Sequence, residues 1–281
     1  MNLVIGQRAV RIAKDSPYRL LAGGLSGIES AGYRITLGEN ALTDGGYITR
    51  EAFEPREISI SFCVDDKENT EAHRQMLLRY LNPKQKVTLH ITRSGVTRKI
   101  EGQIDGEIIF EQPNIMQDRL KVSLNLLCPD PWFYDEQPFA LEFKKVAPLL
   151  TFPFNSLEGV GIMSGLVWRT GEMDITNPGD DAMGIQAEIM ARGEIVNPRL
   201  SLDDGQYVRL LTVMKAGDRA EISTIPKQKD IKINGKSSFL YDRKSAFFSI
   251  PPGKHTLTIL ADSGAENAAT EVLCYVKYLG V

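Results

Sequence analysis

The side chains that most often carry acid–base chemistry or bind metals are few and far apart in this sequence. The three histidines are His73, His90 and His255, and none has a His, Cys or Glu two to four residues further on, the spacing of a local ligand pair. We expect His73 to be solvated on a helix, His90 to lie on the polar face of a strand and His255 to follow a turn. The histidines predict neither a catalytic residue nor a metal ligand.

Two pairs of adjacent carboxylates are the next candidates, because glycosidases use two carboxyl groups. The pairs are Asp180–Asp181 and Asp203–Asp204. A glycosidase needs its two groups to face each other across the substrate, whereas neighbouring residues of a strand point to opposite faces. Both pairs also occur where turns favour aspartate, and no histidine is placed to assist them. We therefore predict structural turns at both pairs.

Cofactor and redox motifs are also lacking. The glycines Gly159, Gly161 and Gly165 nearly form a dinucleotide fingerprint, but the last comes one residue late and no βαβ pattern surrounds it, which predicts a flexible loop. The cysteines are far apart and odd in number, so we expect reduced, partly buried thiols. They are Cys63, Cys128 and Cys274. The sequence predicts no enzyme, no cofactor and no catalytic, cofactor-binding or metal-binding residue.

Aromatic side chains could stack on sugar rings in a carbohydrate-binding protein. The candidates are Trp132, Trp168, Tyr207 and Tyr241. Filling cores and seams is the favoured interpretation. Two alternatives stay open: a non-catalytic carbohydrate-binding β-sandwich protein, and a glycan-active enzyme of sandwich fold.

The elements that would position these residues are mostly strands. Period-two alternation predicts strands over 58–63, 87–92, 96–104, 107–111 and 120–126 in the first half. One helix is predicted over 70–81, because Met76, Leu77, Tyr80 and Leu81 line one face; Asp65, Asp66 or Asn69 could cap it. This half is therefore predicted to be a β-barrel or sandwich with one helix laid on it.

The proline-rich stretch 128–138 predicts a domain boundary, since closely spaced prolines stop helices and central strands. We expect Trp132, Phe133 and Tyr134 to fill a seam between domain 1–135 and domain 136–281. The second half predicts strands at 174–176, 184–189, 254–260 and 271–279, with hairpins at Asp204–Gly205 and Asn234–Gly235. It shows no helix of ten residues, which indicates a β-sandwich or jelly roll.

Composition excludes further classes. The chain has 281 residues and 33 basic against 36 acidic side chains, a net charge of −3, without the basic excess of a nucleic-acid-binding protein. No apolar run approaches the ~20 residues of a membrane span, and the first residues lack the layout of a signal peptide. We expect a protein made in a cytoplasm that binds neither nucleic acid nor membrane.

Two ordered series of residues carry a resemblance to a known family. The first series comprises Asp44–Tyr47, Pro55–Phe62 and Cys128–Tyr134. The second comprises Ile175–Gly179, Asn197–Leu200, Ala216–Asp218, Ile233–Gly235 and Phe247–Gly253. In this order they resemble the distal tail protein family of long-tailed, non-contractile phages, the siphovirus tail components. Residues 145–173 match nothing in the family, and Ile222 stands where aspartate is commoner.

The resemblance implies a structural protein of a phage or prophage, located at the tail tip and made in the bacterial host cytoplasm. It implies a homo-hexameric ring that links the tail tube protein to the tail-associated tip protein, the baseplate and host-adsorption proteins. The first domain would form the ring and stack on the tube. The second, a galectin-like sandwich, would carry other tip parts, such as a receptor-binding protein, or a host glycan.

Self-association of residues 1–135 is also an expectation from the strands themselves. Strand edges near Met1–Ile12 and Lys86–Ile104 could pair with a neighbouring copy, since strand addition uses the same backbone bonds as a sheet.

Overall fold

The computed structural model describes residues 1–40, 44–66, 68–111, 119–143, 145–148, 165–168 and 171–281, with the backbone alone at 142, 145–148 and 165–168. The chain forms two compact units. The first unit comprises Met1–Gln137 and Lys277–Val281, and the second comprises Pro138–Val276. The second unit is thus inserted into the sequence of the first. The single predicted boundary did not anticipate this return of the chain.

The described elements are almost all strands. Up to residue 137 they are β1 (Asn2–Ile5), β2 (Arg8–Arg11), β3 (Tyr18–Ser26), β4 (Tyr33–Glu39), β5 (Gly46–Phe53), β6 (Arg56–Val64), α1 (Thr70–Tyr80), β7 (Val87–Arg93), β8 (Val96–Glu111), β9 (Leu120–Cys128) and β10 (Phe133–Asp135). From there to the end they are β11 (Phe139–Glu142), β12 (Lys145–Pro148), β13 (Gly165–Trp168), β14 (Glu172–Asn177), β15 (Gly184–Ala191), β16 (Ile195–Val196), β17 (Arg199–Leu202), β18 (Tyr207–Arg209), β19 (Val213–Met214), β20 (Arg219–Ser223), β21 (Asp230–Ile233), β22 (Lys236–Ser237), β23 (Gly253–Leu260), the short 3₁₀ helix Ala265–Asn267, β24 (Ala268–Tyr275) and β25 (Lys277–Tyr278).

The first unit is built on one sheet, ordered β2-β1-β7-β8-β9-β6-β3, with β10 pairing β8 and β25. The sheet is open, apart from an isolated bridge between Ile12 and Tyr18 near its two ends. The predicted strands are confirmed. The two predicted at 96–104 and 107–111 form the single strand β8, whose pairing with β9 shifts register between Asp105 and Ile109. Gly106, with φ of 72°, provides the backbone freedom for this irregularity.

Helix α1 packs on this sheet as its spacing predicts. Leu77 and Leu81 are completely or almost completely buried, and Met76 and Tyr80 pack partly buried against the same core. The apolar face of the helix and the inward residues of β6, β7 and β9 therefore form one continuous core.

The second unit is a β-sandwich, as predicted. Its two larger sheets have the orders β11-β24-β15-β20-β21-β22 and β14-β23-β17-β18. Alternate residues of β15 are fully buried, which places Ile185, Ala187 and Ile189 in the core. Asn234 and Gly235 both have positive φ, 51° and 76°, as a two-residue hairpin turn requires.

The last predicted strand, 271–279, is wrong as a single element. Strand β24 ends at Tyr275, Val276 is buried, and Lys277–Tyr278 pairs with β10 of the first unit instead. The alternation continues across this point, so periodicity alone does not reveal the break. Of the unmatched stretch 145–173, the described parts are β12 paired with β13 and the start of β14.

Candidate assembly surface

A two-stranded ribbon is the most exposed apolar feature of the first unit. Strands β4 and β5 pair with each other as a separate sheet, with Tyr33 opposite Phe53 and Leu37 opposite Ile48. The register shifts between Thr36 and Leu37, so Ile48 lies on the same face as Tyr33, Ile35 and Leu37 despite an extra residue in β5.

The apolar face of the ribbon is open to solvent. Ile35 is 52% exposed, Leu37 67% and Ile48 55%, and Tyr33 is similarly open at 48%. Residues 33, 35 and 37 point the same way because the side chains of a strand alternate. Contiguous exposed apolar groups of this kind mark interaction sites in soluble proteins. We refer to this face as the ribbon face.

Aromatic packing fixes the base of the ribbon to the body of the unit. The rings of Tyr33 and Phe53 lie edge to face with centroids 4.8 Å apart, and Phe53 meets Trp132 at 4.9 Å. Arg34 forms an ion pair with Glu54 at 2.6 Å beside this stack. An isolated two-stranded hairpin is marginally stable in water, so this anchorage holds the ribbon in a defined direction.

The predicted sheet edges are only partly correct. Strand β7 lies between β1 and β8, and β1 lies between β2 and β7, so neither is an edge. Strand β2 ends the sheet order, and among the described strands residues 103–111 of β8 pair with β9 alone. Of the two predicted regions, only β2 and the part of β8 from residue 103 therefore have an edge, and β3 forms the other end of the sheet.

The expectation that His73 is solvated is wrong. Its Nδ1 lies 2.8 Å from the Tyr18 hydroxyl and its Nε2 lies 3.1 Å from Asp66 Oδ2. Asn69 occupies the N-cap of α1 without a side-chain capping bond, and its backbone N–H donates to Asp66. Hydrogen bonds from His73 and then Asn69 lower the pKa of Asp66. The cluster therefore fixes the start of the helix.

A histidine does meet one of the paired carboxylates, contrary to expectation. His255 Nδ1 lies 3.2 Å from Asp203 Oδ1, and the Thr256 backbone N–H donates to the other oxygen. The His255 bond is the main cause of the lowered pKa of Asp203. Asp204 instead accepts from the Gln206 backbone N–H within the hairpin turn, so the two carboxylates bond to different elements. Asp180 and Asp181 also lie in a turn, as predicted.

The cysteines are free and buried, as expected. Burial raises the pKa of Cys128 to about 11 and that of Cys274 to about 12, so both thiols are protonated at neutral pH. Within the described part of the chain, no group of His, Cys, Asp and Glu has the arrangement of a metal site. None of the helices described there is long and apolar enough to cross a membrane.

Three of the four aromatic candidates have packing partners in their own units. Trp132 is 8% exposed, with Lys277 over its ring. The Arg199 guanidinium lies 3.9 Å above the Tyr207 ring, and Tyr241 packs edge-on against Phe247. The side chain of Trp168 and the glycines at 159 and 161 lie outside the described residues. The described rings therefore do not favour the carbohydrate-stacking alternative.

The second unit matches a known protein family. The family model described as "Siphovirus-type tail component, C-terminal domain" matches residues 178–275, most of the second unit. The second unit is therefore similar to the C-terminal domain of siphovirus tail components. This match confirms the resemblance of the sequence to the distal tail protein family.

Solved structures of distal tail and baseplate proteins share the fold along the entire chain. The SPP1 phage Dit (gp 19.1), described as a paradigm of the hub adsorption apparatus in phages that infect Gram-positive bacteria, matches with a TM-score of 0.69 and 14% identity over 99% of both chains. A chain of the phage P2 baseplate in its activated conformation with Ca matches with a TM-score of 0.54 and 10% identity, over 100% of this chain and 99% of that one. No curated protein sequence matches.

The ribbon face is a candidate interaction surface that the sequence pattern does not single out. Tyr33, Ile35 and Leu37 alternate with polar residues, but a strand that buries one face has the same pattern. Only the pairing of β4 with β5 in a separate sheet shows that the apolar side stays outside.

Proposed function

We propose that this protein is a distal tail protein and that it forms a homo-hexameric ring at the tail tip of a phage or prophage. The ring would link the tail tube protein to the tail-associated tip protein, the baseplate and the host-adsorption proteins. The shared fold with the SPP1 hub protein and the P2 baseplate chain supports this role. The observation that carries it is the ribbon face, an anchored apolar surface on the unit expected to contact its neighbours.

Within this proposal the first unit supplies self-association and attachment to the tube. The ribbon face of one copy packs on its neighbour, and the edges at β2 and the second half of β8 are available for strand pairing. A contact between unlike surfaces of identical subunits closes into a ring when its rotation permits. The second unit is a galectin-like sandwich that carries tip proteins, a receptor-binding protein or a host glycan.

The proposed role is structural, without catalysis. Asp203 and His255 are an acid–histidine pair, but Asp203 also accepts a backbone hydrogen bond from Thr256, which is a structural use of the carboxylate. The protein would be made in the bacterial host cytoplasm and reach the virion tail tip by assembly.

Mass measured against protein concentration tests the ribbon face directly. We expect the full chain to form hexamers in native mass spectrometry or sedimentation velocity as concentration rises. Leu37→Asp places a charge in the proposed contact and should weaken association at least about tenfold, without lowering the melting temperature. Thr36→Asp, which adds the same charge to the other face of β4, is the matched control.

The control should retain the association of the original chain. If both variants associate like the original chain, the ribbon face is not the contact. If the original chain stays monomeric when mixed with a tail tube protein, the ring itself is excluded.

A further inference from the structure

Residues 277–281 lie in a groove of the first unit, although they follow the whole second unit in sequence. Tyr278 and Lys277 pair antiparallel with Phe133 and Tyr134 of β10. The Tyr278 hydroxyl donates to Asp135, and the Val281 backbone N–H donates to the Ile28 carbonyl. Tyr278 and Val281 also pack against the core of the first unit.

A buried arginine holds the middle of this segment. Arg56 is 2% exposed, and its guanidinium lies over the Phe133 ring at 4.9 Å. It donates to three main-chain oxygens: Pro131 and Gly27 at 2.8 Å each, and Leu279 at 2.5 Å. Burial lowers the pKa of Arg56, as expected for a cation removed from water. Removing the Leu279 carbonyl would leave part of a buried cation without its acceptor.

Two further arginines bind the last residues of this segment. Arg98 donates to the Gly280 carbonyl, and its guanidinium lies 3.6 Å above the Tyr278 ring. Arg93 donates to the Val281 carbonyl at 2.9 Å and to Glu29 at 3.2 Å.

Gly280 fits the groove because it lacks a side chain. A Cβ atom at this position would collide with the Glu29 carbonyl oxygen, and the Ile28 carbonyl is also close. The groove is therefore shaped for one backbone segment, which three arginines recognise mainly through carbonyl groups.

We propose that residues 277–281 are a latch that completes the first unit only after the second unit has been synthesised. A chain that stops before residue 277 removes the Leu279 acceptor of Arg56 and the Gly280 acceptor of Arg98, and it leaves β10 without β25. Such a chain would be excluded from the ring, so that each subunit that enters it carries a whole second unit. The exclusion of such a chain from the ring rests on the proposed function, whereas the docking of residues 277–281 on the first unit does not.

The test compares the full chain with a chain that ends at Val276, by hydrogen-exchange mass spectrometry. We expect exchange in residues 24–31 and 129–135 to be faster by about tenfold or more in the shortened chain, with the second unit unchanged. A synthetic peptide of residues 276–281 added in excess should restore protection. A peptide of the same sequence with Gly280→Val should not.

A point variant covers the case in which the shortened chain does not fold. In the full chain, Gly280→Ala should accelerate exchange in the same two segments. Gly32→Ala is the control, since the only close approach of its added Cβ would be to the carboxylate end of the Glu54 side chain. Equal exchange in the original, Gly280→Ala and shortened chains would overturn the latch. A latch that behaves as expected in a protein that never self-associates would instead refute the proposed ring.

Discussion

Single aspartates in the loops of the second unit show how side chains stabilise backbone turns. Asp262 accepts from Asn197 at 2.7 Å and from Arg209 through both of its oxygens, and these bonds lower its pKa. Asp218 and Asp242 also have lowered pKa values, each chiefly through a backbone hydrogen bond, from Lys215 and Lys244 respectively. In each case the charged form is the one that the folded loop prefers.

This preference predicts a loss of stability in acid. A pKa that is lower in the folded state than the unfolded value of 3.8 contributes stability that is fully present above that value and is lost as pH falls through the folded pKa. We expect the melting temperature of the second unit to fall between about pH 5 and pH 2. Asp262→Asn should melt lower at pH 7 and lose less on acidification. Parallel pH curves for the two proteins would contradict this account.

Helix α1 is the element on which the core of the first unit most depends. Leu77 is completely buried, whereas its neighbour Leu78 is 48% exposed on the outer face. Leu77→Asp would bury an unpaired charge and should unfold the first unit, seen as loss of the cooperative thermal transition and of near-ultraviolet dichroism. Leu78→Asp is the matched control and should change stability by no more than about 0.5 kcal/mol. A folded Leu77→Asp protein would show that the helix does not close this core.

The ribbon formed by β4 and β5 combines a packed base with an exposed apolar face. Its base is held by the Tyr33–Phe53–Trp132 stack, while the apolar residues further along remain in water. Exposed apolar strands are a liability in a free monomer, because they invite aggregation. A binding partner removes that cost, which is why the ribbon supports an assembly role.

At the scale of the whole molecule, the insertion of the second unit suggests how to separate the two. Tyr134 pairs with Lys277, so a short Gly/Ser linker from Gln137 to Lys277 can replace Pro138–Val276. We expect the linker variant, which lacks residues 138–276, to fold and to self-associate. We expect the separate fragment 138–276 to fold as a monomer. Sedimentation velocity on both measures the masses. If the linker variant is a monomer and the fragment 138–276 forms oligomers, the proposed roles of the two units are reversed.

The local elements of this protein follow from its amino-acid sequence. Helix α1, the paired strands and the turn at Asn234–Gly235 follow from side-chain periodicity and from backbone preferences that act over a few residues. The ordered series of short motifs was also enough to indicate the family, because it extends along nearly the whole chain.

The partners of residues far apart in the chain are known from the folded structure and not from the sequence pattern. In the sequence Arg56 resembles an ordinary strand residue. In the fold it is buried, and it donates a hydrogen bond to the carbonyl of Leu279, 223 positions away in the chain. His73 has a partner in Tyr18, 55 positions away, and β25 leaves the pattern of β24 to join β10. The exposure of the ribbon face is likewise a property of the fold that the sequence pattern does not show. Burial and hydrogen bonding depend on what the folded chain brings into contact, and a one-dimensional pattern records only which side of an element is apolar.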